Sequence, residues 1–143
     1  MPQSGINVGS DARFDILTAT GQLSLPMLEV FQSKKITAQS KVRPLNGPPI
    51  HLQFPDGWEG SFEVARVDGT LDDYFAALEA AQYAGANIAS GTIHQTVTNP
   101  DGSLSQYMYT DVQLFLEDAG TYDPLKEVRQ RVSFIAGGRQ KVL

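Results

Sequence analysis

The sequence predicts a mainly β protein, a β-barrel or β-sandwich with one flanking α-helix at about residues 71–84. Apolar and polar residues alternate with a period of two along several segments, as in strands with one wet face. One segment carries the spacing of an amphipathic helix. The chain has 143 residues, of which 41% are apolar, so we expect a single domain that spans residues 1–143.

Composition narrows the possible functions. The chain contains no cysteine, which excludes disulfide scaffolds, thiolate metal sites and cysteine nucleophiles. No apolar run approaches the roughly 20 residues of a transmembrane helix, and the first residues lack the features of a secretory signal, so we expect no membrane insertion. The net charge of −5 disfavours tight binding to a phosphate backbone and suits a surface that repels nucleic acid. Ordinary solubility explains this charge equally well.

The N-terminal segment predicts an arm followed by a short strand. Residues 1–12 contain Gly5, Gly9 and Ser10 and show no period, so we expect an extended N-terminal arm. Residues 14–18 alternate and predict the first strand. Thr20-Gly21-Gln22 has the composition of a turn.

A long hairpin is predicted at residues 29–54. Its first strand covers 29–44, and its second strand covers 50–54. The intervening Leu45-Asn46-Gly47-Pro48-Pro49 must loop, because proline lacks the donor that a strand ladder requires. Alternation puts Ile36, Ala38 and Val42 on one face. The opposite, polar face carries Lys35, Thr37, Gln39, Lys41, Arg43, His51 and Gln53.

The helix is predicted between two further groups of strands. Pro55-Asp56-Gly57 predicts a turn, because proline fixes its φ and glycine permits a positive φ. A strand at 62–64 then ends near 68–69. The helix follows, with Thr70 expected as its N-cap and Gly85 as its stop.

A second long hairpin is predicted at residues 91–117, around the turn Asn99-Pro100-Asp101-Gly102. Residues 128–134 alternate and predict the last strand. Gly137-Gly138 then introduces a basic C-terminal tail at 137–143.

Residues with catalytic potential form no recognisable constellation. His51 and His94 lie on the polar sides of predicted strands and belong to no pair with metal-ligand spacing. Asp72 and Asp73 are adjacent, and neighbouring helix positions do not face each other. No glycine-rich phosphate loop and no GxSxG signature occurs. We therefore expect no enzymatic activity, no cofactor and no metal.

The polar faces of the two hairpins allow two interpretations. The second hairpin presents Thr92, His94 and Thr96, which are uncharged and polar, on one side. A long edge strand is a liability in a monomer, but the liability disappears if hairpins of several copies close a barrel around a water-filled lumen. An ordinary two-layer sandwich with solvated outer faces explains the alternation as well.

Three segments of the chain follow patterns of one structural family. Residues 107–116 form an aromatic-rich strand, residues 117–120 form an acidic corner of the pattern E-x-x-G, and residues 126–128 form a K-x-V entry to the last strand. Residues 60–68 precede a helix with an acidic start. These segments and their order resemble the tail tube proteins of tailed bacteriophages over most of the chain.

The resemblance implies a virion tail tube subunit, made in the host cytoplasm, that forms hexameric rings. The rings would stack into a tube whose lumen conducts DNA during genome ejection without binding it specifically. Further copies of the chain and the sheath, baseplate or tube-initiator and tail terminator proteins would be its partners. The implied lumen-facing residues are Lys35, Thr37, Gln39, Lys41, Thr92, His94 and Thr96. The implied contacts between rings are Leu45, Asn46, Gly47, Pro48, Pro49, Arg139 and Lys141.

One feature departs from the family. Lumens of these tubes tend to be acidic, whereas Lys35, Lys41 and Arg43 share the polar face of the first hairpin. Either acidic neighbours neutralise these cations, or the register differs by one residue, which exchanges the two faces of the strand.

Three other functions stay open on the sequence. The tube protein of a bacterial secretion or contractile injection system would share the fold and the stacking. A monomeric β-barrel that binds a small ligand would need an apolar interior pocket and would not self-assemble. A small hydrolase that uses Asp or Glu would need a carboxylate constellation, and none is recognisable here.

Overall fold

A computed structural model describes residues 4–18, 21–23, 25, 27–86 and 88–142. The described part forms an eight-stranded antiparallel sheet of order β2-β1-β5-β6-β7-β4-β3, in which β8 pairs with β6. One α-helix flanks the sheet, so the predicted β class with a single flanking helix is confirmed. The elements are β1 (Ala12–Thr18), β2 (Gly21–Leu23), β3 (Leu28–Val42), β4 (Ile50–Ala65), α1 (Thr70–Tyr83), β5 (Gly91–Thr98), β6 (Leu104–Asp118), β7 (Arg129–Ala136) and β8 (Gly138–Lys141).

The sheet is rolled around one aromatic core. Strands β1 and β3 lie near opposite ends of the strand order, yet the rings of Phe14 and Phe31 stack with centroids 3.9 Å apart. Phe31 also stacks on Phe62 and Phe134. Strands β1, β4 and β7 contribute alternate residues to this core, such as Phe62 and Val64 of β4 and Val132, Phe134 and Ala136 of β7, because side chains alternate between the two faces of a strand. The two halves of the sheet therefore pack face to face like a sandwich.

Helix α1 buries Leu71 and Phe75 in the same core. Its N-cap is Gly69 rather than the predicted Thr70, because the Asp68 carboxylate accepts a hydrogen bond from the Thr70 amide at 3.0 Å and Thr70 becomes the first helical residue. Hydrogen bonds from the hydroxyl and the amide of Thr70 hold the pKa of Asp68 below its ordinary value. The predicted stop is confirmed at Gly85, whose φ of +73° permits the left-handed turn that ends the helix. In the described residues, no helix is long and apolar enough to cross a membrane.

The predicted turn at Pro55-Asp56-Gly57 is wrong. Strand β4 continues through these residues, and its register shifts between the pairs Lys35↔Trp58 and Thr37↔Pro55. Asp56 and Gly57 thus lie opposite the single residue between Lys35 and Thr37. This pairing of two residues with one is a β-bulge. A bulge and a turn can both use a glycine with positive φ, here +97° at Gly57, so composition does not distinguish them.

The predictions for the C-terminal tail and for the turn after the first strand also need correction. The predicted basic tail at 137–143 contains β8, which pairs with residues 107–110 of β6, because β6 still offers unpaired backbone groups where β7 ends. The predicted turn at residues 20–22 is misplaced, since Gly21 already pairs with Thr18 in the β1–β2 hairpin. Thr20, residues 1–3 of the arm and Leu143 of the tail lie outside the described residues.

Candidate assembly surfaces

The β3–β4 hairpin extends beyond the rest of the sheet. Strand β4 pairs with β3 along its whole length, but it pairs with β7 only from Trp58 to Ala65. Residues 36–57, which we name the hairpin extension, therefore form a two-stranded ribbon. At about 3.3 Å per residue, the ribbon reaches about 20 Å beyond the last strand partner of β4.

One face of the hairpin extension is apolar and uncovered. The register pairs Ala38 with Phe54 and Val42 with Ile50, so these side chains share a face. Val42, Ile50 and Phe54 are about half exposed, and Leu52 lies beside them on the same face. The alternation of these residues is visible in the sequence, but the sequence does not show that the protein's own core leaves them open. Sequence reasoning therefore missed this surface.

The opposite face of the hairpin extension is polar and contains the first set of predicted lumen-facing residues. Lys41 pairs with His51, Gln39 with Gln53 and Thr37 with Pro55. Alternation continues from Phe31 and Ser33, which face the core, so this polar set lies on the core-facing side of the sheet. Its members are Lys35, Thr37, Gln39 and Lys41.

The second predicted set, Thr92, His94 and Thr96, lies on the other side of the sheet. Ile93 between them is fully buried, and Gln95 is within hydrogen-bond distance of the Tyr109 hydroxyl at 3.4 Å, so the alternate residues point away from the core. If one face of this continuous sheet lines a lumen, only one of the two predicted sets can face that lumen. The luminal assignment itself stays a prediction.

The predicted contacts between rings fall into two environments. Residues 45–49 are all exposed at the end of the hairpin extension, and Lys141 is exposed on β8. Arg139 is instead held within the chain. Its guanidinium lies 3.8 Å from the ring centroid of Tyr107 and 4.9 Å from that of Trp58, and it donates to Gln95 Oε1 at 3.3 Å. Arg139 therefore fixes β8 to the core.

A second exposed apolar surface lies at the opposite end of the β3–β4 ladder. Tyr122 and Leu125, in the connection from β6 to β7, are 71% and 94% exposed. Val67, which follows β4, is exposed at the same end, where the neighbouring Arg66 amide donates to the Val128 carbonyl at 2.8 Å. We name Val67, Asp118, Tyr122, Asp123 and Leu125 the base surface.

Charge is distributed unevenly along the chain. Residues 30–55 contain four of the 11 Lys and Arg residues and no Asp or Glu. This segment, which we name the basic segment, is thus +4, and because the whole chain is −5, the remainder is −9; the complete β3–β4 hairpin, which adds Glu29, Asp56, Glu59 and Glu63, is neutral. The four cations are Lys34, Lys35, Lys41 and Arg43.

Side chains that could ligate a metal ion are not brought together in the described ranges. Those ranges contain no group of three or more His, Cys, Asp or Glu side chains placed to hold a metal ion. His51 lies on the hairpin extension and His94 on β5, in different strands that do not pair with each other.

Solved structures share this fold along nearly the whole chain, although no protein-family model and no curated protein sequence matches. A sheath/tube terminator of the extracellular contractile injection system PVC covers 99% of both chains with a TM-score of 0.65 at 12% identity. The tube-terminating cap of the anti-feeding prophage covers 99% of this chain and 94% of its own, with a TM-score of 0.61 at 10% identity. A chain of the PVC sheath–tube complex covers 91% and 89%, with a TM-score of 0.59 at 13% identity.

These similarities establish the fold. The chain has the architecture of tube and terminator components of contractile injection systems, which agrees with the resemblance to phage tail tube proteins found in the sequence.

Proposed function

We propose that this protein is a non-enzymatic structural subunit of a phage-type tail tube, in which copies form hexameric rings that stack around a lumen. The uncovered apolar face of the hairpin extension is the observation that carries this proposal. Within a virion, the tube would conduct DNA during ejection. Sheath, baseplate or tube-initiator and terminator proteins would be its partners, and its structural neighbours come from assemblies that contain a sheath, a tube and a terminator.

The apolar face supports association with another copy on energetic grounds. Val42, Ile50, Leu52 and Phe54 are each partly exposed in the monomer. Covering what remains exposed stabilises a contact by roughly 1 kcal/mol per side chain, or about 4 kcal/mol per contact before the costs of association. One such contact is weak alone, and a closed ring repeats it in every subunit.

The free strand edges support a ring rather than a random aggregate. In the described part of the chain, β3 ends the strand order, and residues 113–118 of β6 pair with β7 alone. Each copy thus has two different unpaired edges on one continuous set of strands. Joining the β3 edge of one copy to the β6 edge of the next is a head-to-tail contact, which closes into a ring when the rotation permits.

Of the two predicted luminal sets, head-to-tail ring closure favours the set on the hairpin extension. If the apolar face packs on a neighbouring copy, then Lys35, Thr37, Gln39 and Lys41 turn towards water, as a lumen requires. Thr92, His94 and Thr96 lie on the opposite side of the sheet and would face outward. Acidic groups of neighbouring copies would offset the lysines in such a lumen.

The test compares assembly of the purified protein with assembly of L52D/F54D, by negative-stain electron microscopy and sedimentation. The unmodified protein is expected to form rings or hollow tubes, and L52D/F54D to stay monomeric because it places carboxylates in the apolar contact. The control Q53D adds a carboxylate to the opposite face of the same strand and should assemble. Persistent monomers of the unmodified protein, even with a tube-initiating complex, would overturn the proposal, as would normal assembly of L52D/F54D.

A second candidate is a terminator that closes the end of a tube. The sheath/tube terminator and the tube-terminating cap both support it, since each covers 99% of this chain. A terminator forms a ring that does not stack on itself, whereas a tube subunit forms long tubes. The same micrographs therefore separate the two functions.

A ligand-binding barrel receives less support, whereas the structural neighbours support an injection-system tube as much as a phage tail tube. The barrel would hold its small ligand between the sheet halves, where the rings of Phe31, Phe62, Tyr109 and Phe134 pack against one another. The injection-system tube would share the geometry of a phage tail tube. The assembly experiment tests ring formation and stacking, which both tubes share.

A further inference from the structure

The tip of the hairpin extension, residues 43–49, is an exposed end with a defined shape. Leu45 is fully exposed at its apex, and Pro44, Pro48 and Pro49 restrict the backbone on both sides of it. An apolar side chain held outward on a stiff loop gains free energy when a partner covers it, and little conformational entropy is lost in the process.

The base surface lies at the other end of the same strands. The β3–β4 ladder runs from the pair Leu28↔Val64 to the pair Val42↔Ile50, a length of about 45 Å at 3.3 Å per residue. Local hydrogen bonds keep Leu125 outward, since its amide donates to Asp123 Oδ1 at 3.1 Å and the Lys126 amide donates to the Asp123 carbonyl at 3.2 Å. The exposed Leu125 is therefore part of an ordered turn.

The two ends are complementary in charge. Arg43 and Lys41 flank the tip, and neither has an ion-pair partner among the described residues. Residues 117–127 carry four carboxylates and one lysine; Glu127 pairs with Arg129 at 2.9 Å and Glu117 with Arg131 at 3.3 Å, which leaves Asp118 and Asp123 without an ion pair among the described residues. Asp118 and Asp123 there accept only backbone hydrogen bonds within the described part of the chain, from Gly120 at 2.9 Å and from Leu125. Both ends also present apolar side chains, which a contact would cover.

We infer that the tip of one copy docks on the base surface of a second copy in the adjacent ring. Leu45 then packs against Tyr122 and Leu125 while Arg43 pairs with Asp123. The inference rests on the proposed function and specifies its axial contact. Two complementary surfaces at opposite ends of one chain make a head-to-tail contact that repeats without closing, so each added ring presents the site for the next.

The absence of native cysteine makes a direct test possible. The double variant L45C/L125C is assembled and then oxidised, and denaturing gels without reductant are expected to show a ladder of cross-linked chains that continues well beyond the hexamer. L45C and L125C alone should give at most dimers. The matched control L45C/Y83C places its second thiol on the exposed Tyr83 of α1 and should give no ladder.

Charge exchange gives an independent readout. R43E is expected to raise the protein concentration needed for tubes by about tenfold, and R43E/D123R to restore it by reversing the pair. Tubes that form from L45C/L125C without a ladder, or R43E tubes that form normally, would overturn the inference while the proposed function stands. If R43E still forms tubes but no longer binds double-stranded DNA, then the tip binds nucleic acid, and the inference is overturned as well. Absence of any ring or tube in the unmodified protein would instead overturn the proposed function.

Discussion

At the scale of single residues, Arg139 explains why the C-terminal segment belongs to the sheet. Its guanidinium stacks on Tyr107 and lies near the rings of Trp58 and Tyr109, with Gln95 as hydrogen-bond acceptor. A planar cation over aromatic faces is attracted by their negative charge density, and the attraction is stronger where water is partly excluded. This cluster joins β8 to both halves of the rolled sheet.

We predict that R139M lowers the free energy of unfolding by about 1–2 kcal/mol, because it removes the cation from the aromatic cluster and its hydrogen bond to Gln95. R139K should recover only part of the loss, since an ammonium has no planar surface to stack. Urea unfolding at protein concentrations below assembly measures both variants. K141M removes a charge from an exposed position of the same strand and should change stability by less than about 0.5 kcal/mol. Equal stability of R139M and K141M would contradict the role of the cluster.

At the scale of elements, the β-bulge at Asp56 and Gly57 separates the two parts of β4. Before the bulge, Ile50, Leu52 and Phe54 share one face with Ala38. After it, Phe62 and Val64 enter the core, and these are also even-numbered residues on the core-facing side. The extra residue exchanges the two faces of β4, so that one strand can bury apolar residues inside the monomer and present others outside.

We predict that G57A is destabilised by about 2–3 kcal/mol, because its Cβ would lie 2.6 Å from the Ala136 carbonyl oxygen at a backbone φ of +97°. G102A is the matched control. Gly102 also has a positive φ, +89°, but its Cβ would meet nothing within 4 Å, so only the backbone cost of about 1–2 kcal/mol applies. The difference between the two unfolding free energies measures the close approach at the bulge. A G57A protein as stable as G102A would exclude this explanation.

At the scale of the whole molecule, the separation of a +4 segment, residues 30–55, from a −9 remainder favours oriented association. Between the centres of two copies, tens of ångströms apart, repulsion of the net charges is largely screened at about 0.1 M salt, where the Debye length is about 10 Å. Opposite charges in contact across an interface are still attracted at that salt concentration. When the basic segment of one copy meets the acidic surface of another, the attraction between their opposite charges therefore exceeds the repulsion between the net charges of the two copies.

We predict that raising NaCl from about 0.1 M to about 1 M increases the protein concentration needed for assembly by about tenfold, because salt screens the pairs that orient the copies. K41Q/R43Q should show a smaller salt dependence, whereas R13Q, which lacks an exposed cation on β1 away from both surfaces, should behave like the unmodified protein. Sedimentation across a salt series measures these thresholds. Assembly that strengthens steadily with NaCl would mean that apolar contacts alone drive it.

Much of the candidate site could be predicted from the sequence. The loop at 45–49, the polar face with Lys35, Thr37, Gln39 and Lys41, and the hairpin strands all follow from alternation and proline chemistry, and the register confirms that these residues share a face. The exposure of Ile50 and Phe54 could not be predicted, because alternation separates apolar from polar faces without indicating what covers them. The base surface was missed for a different reason: Tyr122 and Leu125 lie in a segment without a period, so no pattern indicates a face at all.

The sequence by itself determined the β class, the single helix with its stop at Gly85 and the hairpin turn at 99–102, because these depend on interactions between residues close together in the chain. The tertiary structure alone decided that residues 55–57 bulge rather than turn, that β8 joins β6, and that the two predicted luminal sets lie on opposite sides of the sheet. Each of these depends on a strand far away in sequence. Gly57 approaches Ala136, and Arg139 finds Trp58 and Tyr107, only after the sheet has rolled around its core.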